Sequence, residues 1–477
     1  MKTDSKNKGI TCLQKTNCIK AVCVFFTVTI LLSGCRKMDY NIAKPGQQKT
    51  NTISNRSIAS PQRPNIIVIL ADDIGFEIPT YSGGQSYSTP NLDAMAQGGM
   101  QFSQCNASPL CSPSRFMLLT GKYNFRNYTQ WGVMDTTQRT IANMMRNAGY
   151  ATGISGKWQL AGGAASVNAL GFDKYMVYDA FDGADVLGES ESSGRQYKDP
   201  QVYVKGANLA DSIIKGKYGE DFFRQYLFDF IDSNINKPFF ALWTPNLGHT
   251  YYAPTPDDPQ FASWNSKAKP LPGDTVYFKP MVKYLDKEIG MLMAKLNAAG
   301  IAQNTLILFT GDNGTENQIY SRYNNSTVKG GKGNTTIYGT RVPMLAYWPG
   351  TIAPGTKNDS LIDFTDFLPS IADITNTPHP TDFGVLDGVS FAPYIKNTGI
   401  TVTPRSSVYC WYFPKHLRTD FKRVYANNKT YKLYEDGYGF FNIKKDTKEK
   451  LPIQDSQLTQ EEVTIKANLQ QVLNSYH

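Results

Sequence analysis

Histidine is scarce in this chain, and patterns typical of several other protein classes are missing. The 477 residues include four histidines, at His249, His379, His416 and His477. A centre with two zinc ions needs several histidine ligands, so this small number argues against one. No block of lysine and arginine interleaved with aromatic residues occurs, so we expect no nucleic acid partner. Internal repeats and long low-complexity tracts are also absent.

The overall charge is only modestly positive once the N-terminus is set aside. The chain is 41% hydrophobic and 19% charged, an ordinary globular composition with room for one large domain and a small one. The formal charge is +9, but residues 1–34 hold five lysines and one aspartate, and without them 44 basic side chains face 39 acidic ones. Such a balance suits an anionic partner, yet dispersed lysines are more often simply solvated. Charge alone therefore does not identify a ligand.

The N-terminus carries an apolar run that is too short to span a bilayer comfortably. Residues 21–32 follow a basic stretch and lead into Leu32-Ser33-Gly34-Cys35. This resembles the lipobox of bacterial lipoprotein signal peptides, which implies cleavage before Cys35 and acylation of its thiol. The alternative is an ordinary signal peptide that contains a cysteine. We expect a signal peptide over residues 1–34, a flexible polar tether over 35–63, and export to the periplasm or cell surface. The acyl chains would be the only membrane anchor, with the outer membrane favoured.

Buried strands alternate with helices through most of the chain. Residues 65–71 form an apolar, β-branched run that ends in Asp72 and Asp73, and residues 305–310 form another that ends in Asp312 and Asn313. Such runs are typical of strands buried on both faces of a parallel sheet. Helices are predicted over residues 90–98, with Thr89 as N-cap, and over 141–148 and 280–299; a further strand is predicted over 150–155. The alternation predicts an α/β fold with a large doubly wound, mostly parallel sheet, which binds ligands at the carboxyl ends of its strands.

The pattern changes at about residue 400. Residues 406–413 and 423–435 alternate like exposed antiparallel strands, with Asn427 and Asn428 as a turn. A last helix is predicted from Thr459, where Glu462 completes a capping box, to about residue 475. We therefore expect a main domain over residues 64–398 and a small subdomain of antiparallel sheet and helix over 399–477.

The expected globular part keeps three cysteines, Cys105, Cys111 and Cys410, and an exported protein with an odd number needs a reason for the unpaired one. Cys111 begins the run Cys-Ser-Pro-Ser-Arg, which ends at Arg115 and is followed by Leu-Thr-Gly at residues 119–121. This resembles the C-x-P-S-R signature of the sulfatase family with its trailing L-T-G. A lone cysteine before a helix is more often a small buried thiol. The ordered motif outweighs that interpretation.

The resemblance implies that a maturase oxidises Cys111 to Cα-formylglycine. A hydrated aldehyde presents two hydroxyls on one carbon, so that one can attack sulfur and the other can collapse the resulting ester and expel sulfate. A serine or an unmodified thiol has no such exit. Pro113 and the apolar run after it predict that residue 111 lies at a helix N-terminus, a place that favours anions.

A metal site is implied by two pairs of polar residues. In the family resemblance, Asp72 and Asp73 match one pair of ligands and Asp312 and Asn313 match the other, with Cys111 completing the set. Carboxylate and amide oxygens suit Ca²⁺ or Mg²⁺, and the resemblance favours a single Ca²⁺. Either pair alone could form a turn or a helix cap. Two pairs that each follow an apolar strand favour the metal.

Cations and one histidine complete the implied site. Arg115, Lys157 and Lys332 match family residues that bind sulfate or support the nucleophile. Lys329 competes with Lys332, but the spacing to the Arg-Val-Pro run at residues 341–343 favours Lys332. His249 resembles the family histidine that helps the leaving oxygen depart, and an imidazole that titrates near the operating pH suits this work.

The chain departs from the family pattern at Gln159. The family usually has G-K-W-H-L where residues 156–160 are Gly-Lys-Trp-Gln-Leu. The family histidine is thought to take a proton when sulfate is eliminated, and an amide cannot. We expect Gln159 still to hydrogen-bond the formylglycine hydroxyl or the sulfate, while another group acts as the base.

These matches span roughly residues 64–388 and predict a sulfatase of alkaline-phosphatase-like fold that acts on a sulfated polysaccharide or oligosaccharide. Two alternatives stay open: a phosphodiester or phosphonate monoester hydrolase of the same superfamily, and a non-catalytic lipoprotein that binds sulfated glycans, supported only by Gln159. Specificity is expected in the loops at residues 161–205 and 320–328 and in the C-terminal lobe. The sequence indicates neither the sulfate position nor the oligomeric state.

Overall fold

The computed structural model describes residues 63–128, 132–160, 163–178, 196–266, 274–396, 403–414 and 422–476. The predicted signal peptide, the predicted acylation site at Cys35 and nearly all of the predicted tether lie outside these ranges, as do His416, His477 and residues 179–195 of one predicted specificity loop. Among the described residues, no helix is both long enough and apolar enough to cross a membrane.

The strands fall into one large sheet, a hairpin and a small sheet. In chain order they are β1 (Asn65–Ala71), β2 (Met100–Asn106), β3 (Ala151–Lys157), β4 (Lys174–Tyr178), β5 (Tyr203–Val204), β6 (Ala207–Asn208), β7 (Phe239–Thr244), β8 (Thr305–Gly311), β9 (Tyr320–Tyr323), β10 (Ser326–Lys329), β11 (Arg341–Tyr347), β12 (Thr356–Asp363), β13 (Val408–Tyr412), β14 (Arg423–Asn427), β15 (Tyr431–Tyr434) and β16 (Phe440–Asn442).

Helices connect and cover these strands. They are α1 (Pro90–Gly98), α2 (Cys111–Thr120), α3 (Asn124–Asn127), α4 (Ile141–Asn147), α5 (Gly163–Ala169), α6 (Asp211–Ile214), α7 (Gly219–Ser233), α8 (Phe278–Ala298), α9 (Ile337–Thr340), α10 (Phe367–Thr375), α11 (Ala392–Lys396) and α12 (Gln460–Asn474).

The large sheet is mixed but mostly parallel in its centre. Its strand order is β12-β2-β11-β8-β1-β7-β3-β4-β5-β6, and β8, β1, β7, β3 and β4 run parallel to one another. Side chains of β1 alternate between the two faces: Ile66 and Val68 belong to one hydrophobic cluster, and Ile67 and Ile69 to the other. Every residue of β1 is buried, as expected for a strand covered on both faces. The predicted doubly wound α/β fold is confirmed.

The first long helix begins where the sequence indicates but is capped differently. Pro90 is its first residue, yet the Thr89 side chain does not cap it. Instead, the Asp286 carboxylate of α8 accepts hydrogen bonds from the backbone N–H groups of Asn91 and Leu92, at 3.1 and 2.9 Å. A carboxylate satisfies these free N–H groups and complements the helix dipole. Thr89 is therefore the N-cap residue, as predicted, but its side chain does not supply the capping hydrogen bond.

The C-terminal strands form the predicted antiparallel sheet, in the order β13-β14-β15-β16, and α12 carries the predicted capping box between Thr459 and Glu462. The expectation that these strands are exposed was wrong. Leu469 and Leu473 of α12 lie in the same cluster as one face of the sheet. The other face packs in a cluster that includes Leu110 and Cys111. Since both faces are covered, β13 and β14 are largely buried.

Candidate active site

The polar side chains singled out in the sequence gather at one edge of the large sheet. Strands β8, β1, β7 and β3 are neighbours and run parallel, so their carboxyl ends meet at the same edge. Asp312 follows β8, Asp72 follows β1, Lys157 ends β3, and His249 lies in the loop after β7. Residues that are far apart in sequence therefore converge because of strand order.

Three buried carboxylates lie close together in the site. Oxygens of Asp72, Asp73 and Asp312 all lie within 4.8 Å of one another, and all three side chains are fully buried. The Asn313 Nδ2 donates to Asp73 Oδ1 at 2.7 Å. Among the described residues, Asp72 Oδ1 and Asn313 Oδ1 are buried oxygens with no hydrogen-bond donor. Such a group of hard oxygens, some lacking a partner, fits a bound divalent cation.

The pKa values of these carboxylates show that burial and mutual repulsion disfavour three negative charges so close together. Burial raises the pKa of Asp73 to about 8, and Lys332 only partly opposes it because neighbouring carboxylates repel the charge. Burial likewise raises the pKa of Asp312 to about 6. Burial also opposes the charge of Asp72, but the facing cations, Lys157 foremost, outweigh it and hold its pKa below the usual range. A divalent cation among the three would relieve the repulsion.

Three cationic side chains form ion pairs with these carboxylates. Lys157 Nζ lies 2.7 Å from Asp72 Oδ2, and Lys332 Nζ lies 2.7 Å from Asp73 Oδ2. The Arg115 guanidinium lies 3.0 Å from Asp312 Oδ2 and also donates to the Lys157 carbonyl at 2.9 Å. All three cationic side chains are largely buried, and because an unpaired buried charge is costly, each needs its carboxylate partner.

Of the two competing lysines, the structure places Lys332 at the site. Lys329 ends strand β10, where it is exposed and its Nζ lies 5.9 Å from the centre of the Tyr320 ring. The loop that presents Lys332 is held from the C-terminal sheet. Lys432 donates to the Thr335 carbonyl and pairs with Glu449 at 2.6 Å, with both charged side chains buried. The C-terminal sheet therefore supports the loop that carries Lys332.

Replacing Lys432 with methionine should destabilise the protein by about 3–5 kcal/mol, because it leaves Glu449 buried without its partner. The double variant Lys432→Met/Glu449→Gln should recover part of this loss, since no unpaired charge then remains. Urea unfolding measures both free energies. If the free energy of unfolding of Lys432→Met lies within about 1 kcal/mol of the parent, well short of the cost of breaking a buried pair, the Lys432–Glu449 pair does not stabilise the protein as assigned.

Cys111 is the first residue of α2, as the sequence predicts, and is 1% exposed. Its Sγ lies 3.9 Å from Lys157 Nζ. The sulfur, an oxygen of Asp72 and a ring nitrogen of His249 all lie within 4.8 Å of one another. Burial raises the pKa of the Cys111 thiol to about 12, although Lys157 and Lys332 oppose the shift. An unmodified thiol in this position would stay protonated at neutral pH and react poorly.

His249 points one ring nitrogen away from the cluster. Its Nδ1 lies 2.5 Å from the Thr250 carbonyl oxygen, which can only accept, so Nδ1 carries the proton and Nε2 is left for the site. Burial lowers the pKa of His249 well below its usual range, and Lys157 and Lys332 lower it further. The expectation of an imidazole that titrates near neutral pH was therefore wrong for the site as it stands.

Gln159 lies two residues after the end of β3 and is buried, with a left-handed backbone (φ 51°). Its carbonyl accepts a hydrogen bond from the Ser112 hydroxyl at 3.4 Å, which places the backbone of Gln159 beside the start of α2. The described contacts include none from the Gln159 side chain to Cys111, so its predicted hydrogen bond to the modified residue stays a prediction.

Several contributors to the site were missed in the sequence. Glu316 adds negative charge next to Asp73 and Lys332. The Glu220 carboxylate accepts from the backbone N–H of Asn246 at 2.9 Å, in the loop that carries His249. The Tyr197 hydroxyl lies within hydrogen-bond distance of two carbonyls of that loop. Glu316 could have been noticed as an acid four residues after Asp312; the other two lie in stretches with no motif.

Comparison with known proteins agrees with this geometry. A family model described as Sulfatase matches residues 64–377, and a model described as N-sulphoglucosamine sulphohydrolase, C-terminal, matches residues 337–476. The chain belongs to the sulfatase family. It is a sulfuric ester hydrolase of the alkaline-phosphatase-like superfamily, and the predicted activity is confirmed.

The sulfatase resembles characterised enzymes along most of its length. It is 30% identical to human arylsulfatase A over 383 residues, which cover 75% of this chain and 72% of that protein. It is 31% identical to mouse N-acetylgalactosamine-6-sulfatase over 362 residues, or 70% of this chain and 66% of that protein. It is also 28% identical to N-acetylgalactosamine-6-O-sulfatase of Bacteroides thetaiotaomicron, over 67% of this chain and 74% of that protein.

Solved structures share the fold of this sulfatase. Ps i-CgsB in complex with κ-ι-κ-neocarrahexaose superposes with a TM-score of 0.71 at 24% identity, over 87% of this chain and 93% of that one. BT4656 in complex with D-glucosamine-2-N,6-O-disulfate gives 0.68 at 20% identity, over 87% and 97%. The phosphonate monoester hydrolase of Agrobacterium radiobacter gives 0.62 at 16% identity, over 87% and 95%. These likenesses show the fold alone.

Proposed function

We propose that this sulfatase removes sulfate from a sulfated polysaccharide or oligosaccharide, using formylglycine made from Cys111. The observation that carries the proposal is the position of Cys111, at the start of α2 between Lys157, His249 and the Asp72 carboxylate. The substrate class is supported by relatives named for sulfated amino sugars and by fold neighbours in complex with sulfated sugars.

The chemistry needs a modified residue at position 111. A buried thiol with a pKa of about 12 is a poor nucleophile, whereas a hydrated aldehyde there offers one hydroxyl to attack sulfur and a second to release sulfate afterwards. Conversion of the CH₂SH side chain to an aldehyde is an oxidation, so it requires an oxidant, which we assign to the maturase. The helix N-terminus at residue 111 favours the negative charge that develops there.

A single Ca²⁺ is the proposed metal, with Mg²⁺ as the alternative. Oxygens of Asp72, Asp73, Asp312 and Asn313, with residue 111, would hold it. When bound, the ion would polarise the sulfate and the attacking oxygen. Hard carboxylate and amide oxygens suit Ca²⁺, which tolerates a wider range of geometries than Mg²⁺.

We assign the cationic side chains to binding of the sulfate group and to support of the nucleophile. Three carboxylates pair with three cations in the described site and Glu316 adds a further negative charge beside them, so a divalent ion would still leave an excess of positive charge. Lys157 and Lys332 both oppose the rise in the pKa of the Cys111 thiol, so both act on this side chain. A metal held by their carboxylate partners would weaken the two ion pairs and leave the lysines more able to bind sulfate oxygens. We assign them to the sulfate oxygens and Arg115 to the nucleophile and the Asp312 carboxylate.

His249 is assigned the leaving oxygen. With Nδ1 committed to the Thr250 carbonyl, Nε2 is the atom that can carry a proton to a departing alcohol. In the described site the ring is neutral, since burial and two lysines lower its pKa. An anionic sulfate ester placed between the ring and these lysines would raise the pKa again, so substrate binding itself would charge the acid.

The proposed location rests on the N-terminal sequence. The lipobox-like run that ends in Cys35 supports acylation and anchoring in a membrane, with the catalytic part in the periplasm or at the cell surface. A polysaccharide substrate is consistent with a surface position.

Release of inorganic sulfate from a panel of defined sulfated sugars tests this function. We expect turnover of at least one sugar sulfate, and only weak hydrolysis of phosphodiesters and phosphonate monoesters. Faster hydrolysis of a phosphonate monoester than of any sulfate ester would contradict the assignment. Tight binding of a sulfated sugar without turnover would indicate the non-catalytic alternative.

Gln159 provides a separate prediction. Because an amide cannot act as a base, sulfate release should limit turnover of an aryl sulfate, and a burst of phenol should precede the steady phase. Gln159→Ala should alter the burst or the steady rate if the side chain orients the hydrated aldehyde. Gln159→His should shorten the slow phase, since a positioned base contributes roughly 10²–10⁴-fold. Stopped-flow absorbance measures both phases. A Gln159→Ala variant identical to the parent in both phases would place the side chain outside the site.

A further inference from the structure

Three consecutive side chains hold the loop that carries His249. Gln196, Tyr197 and Lys198 are all buried. Tyr197 Oη lies within hydrogen-bond distance of two carbonyls, 2.9 Å from that of Asn246 and 2.7 Å from that of His249. Gln196 Nε2 donates to the Thr250 carbonyl at 2.8 Å. These residues belong to no motif that the sequence analysis singled out.

Lys198 extends the same arrangement along the chain. Its Nζ donates to the carbonyls of Phe261, Ala262 and Trp264, at 2.7, 2.9 and 2.9 Å. An ammonium has three donors, so these bonds use all of them. The loop from residue 245 to residue 266 contains no helix or strand, so regular secondary structure does not satisfy its carbonyls, and several of them accept from side chains elsewhere in the chain. Residues 196–198 supply them.

We call Gln196, Tyr197 and Lys198 the clamp. The Thr250 carbonyl connects this clamp to the ring of His249. It accepts from Gln196 Nε2 and also lies 2.5 Å from His249 Nδ1. The same carbonyl that Gln196 orients therefore decides which ring nitrogen of His249 carries the proton. Tyr197 meanwhile fixes the backbone of His249 through its carbonyl. Ring orientation and tautomer are both set from residues 196 and 197.

We propose that Tyr197 and Gln196 are positioning residues for His249, which hold its ring so that Nε2 faces the leaving oxygen of the substrate. The proposal rests on the assignment of His249 as the acid in the proposed function. A residue that acts only through His249 should matter where a proton must reach the leaving group, and should matter little where it need not.

The test uses the dependence of rate on the leaving group. An alcohol of a sugar is a poor leaving group and needs a proton as it departs, whereas an acidic nitrophenol departs as the anion. Tyr197→Phe removes one hydroxyl and keeps the ring. We expect it to lower kcat for a sugar or alkyl sulfate by roughly 10- to 100-fold, within the roughly 10²–10⁴-fold that general acid catalysis supplies. The burst rate with 4-nitrophenyl sulfate, which reports the attack on sulfur, should stay within about twofold, as expected where no acid is needed.

Tyr218→Phe is the matched control. Tyr218 is buried and stacks on Tyr197, with ring centres 6.2 Å apart, but among the described residues its hydroxyl has no hydrogen-bond partner. It should leave both rates unchanged. Gln196→Met, which removes the amide but keeps the bulk, should reproduce the Tyr197→Phe pattern and serves if that variant folds poorly.

The outcomes separate this proposal from the proposed function. If His249→Ala slows sugar sulfates far more than nitrophenyl sulfate and Tyr197→Phe does the same to a smaller degree, the proposal holds. If His249→Ala shows that selectivity but Tyr197→Phe slows both substrates equally, or neither, the positioning role is wrong and His249 stays the acid. If His249→Ala shows no selectivity, the assignment of the acid and the positioning role both fail.

Discussion

Cys111→Ala is expected to lower sulfate ester hydrolysis on the order of 10⁶-fold, the scale on which loss of a catalytic nucleophile is felt. Residue 111 lies at the N-terminus of α2, and its side chain is the one that reaches toward Lys157 Nζ and the Asp72 carboxylate. The aldehyde proposed at residue 111 is the group that we assign to attack sulfur. The rate of sulfate release under saturating substrate measures the effect.

Cys410→Ala is the control for this variant. Cys410 is also a buried free thiol and belongs to the same hydrophobic cluster as Cys111, so both changes remove a similar volume from similar surroundings. We expect Cys410→Ala to keep nearly full turnover. Comparable losses in the two variants would show that packing, not chemistry, accounts for the effect of Cys111.

Asp312→Ala should have the next largest effect, a loss of bound metal together with a loss of turnover on the order of 10³-fold, because a metal that polarises reacting oxygens contributes several kcal/mol to the barrier. The carboxylate is buried among Asp72 and Asp73 and pairs with Arg115 at 3.0 Å. Its removal takes away one proposed ligand and leaves the guanidinium facing two remaining acids.

Elemental analysis of purified protein and thermal unfolding with and without added Ca²⁺ measure this directly. The parent should hold about one Ca²⁺ per chain and unfold at a higher temperature with it, since a ligand that binds only the folded state stabilises it. Asp286→Asn, which changes a buried carboxylate that caps α1, should keep the metal. Stoichiometric zinc in place of calcium or magnesium would contradict the ligand assignment.

The central sheet could be predicted because its signals are local. The run from Ile66 to Ala71 is apolar at every position, as expected of a strand covered on both faces, and β1 is such a strand. Because parallel neighbours end at the same edge, the acids after β1 and β8 could be expected to meet. The order of the strands, which also brings Lys157 and His249 there, could not be read from periodicity.

The errors came from contacts between distant parts of the chain. The strands after residue 400 alternate as exposed strands do, but α12 covers one face and the surroundings of Cys111 cover the other. Thr89 is the N-cap residue of α1, yet the side chain of Asp286 in a later helix accepts the capping hydrogen bonds. The low pKa of His249 follows from burial and from lysines that are 92 and 83 residues away, at positions 157 and 332.

The clamp on His249 illustrates a different limit. Side chains that bond to backbone carbonyls follow no periodic pattern, and neither Gln196 nor Tyr197 belongs to a recognisable motif. Only the structure shows that one carbonyl, that of Thr250, receives both Gln196 and the His249 ring.

The most direct test of the account is to measure aldehyde at residue 111 and turnover in the same protein preparations. Co-expression with increasing amounts of a maturase should convert more of the Cys111 side chain, which then loses sulfur and two hydrogens and gains oxygen in the mass spectrum. The account predicts that the rate of sulfate release rises in proportion to the fraction of chains with aldehyde at residue 111. It also predicts no release when that fraction is zero. Full turnover from protein whose residue 111 is entirely thiol would contradict it.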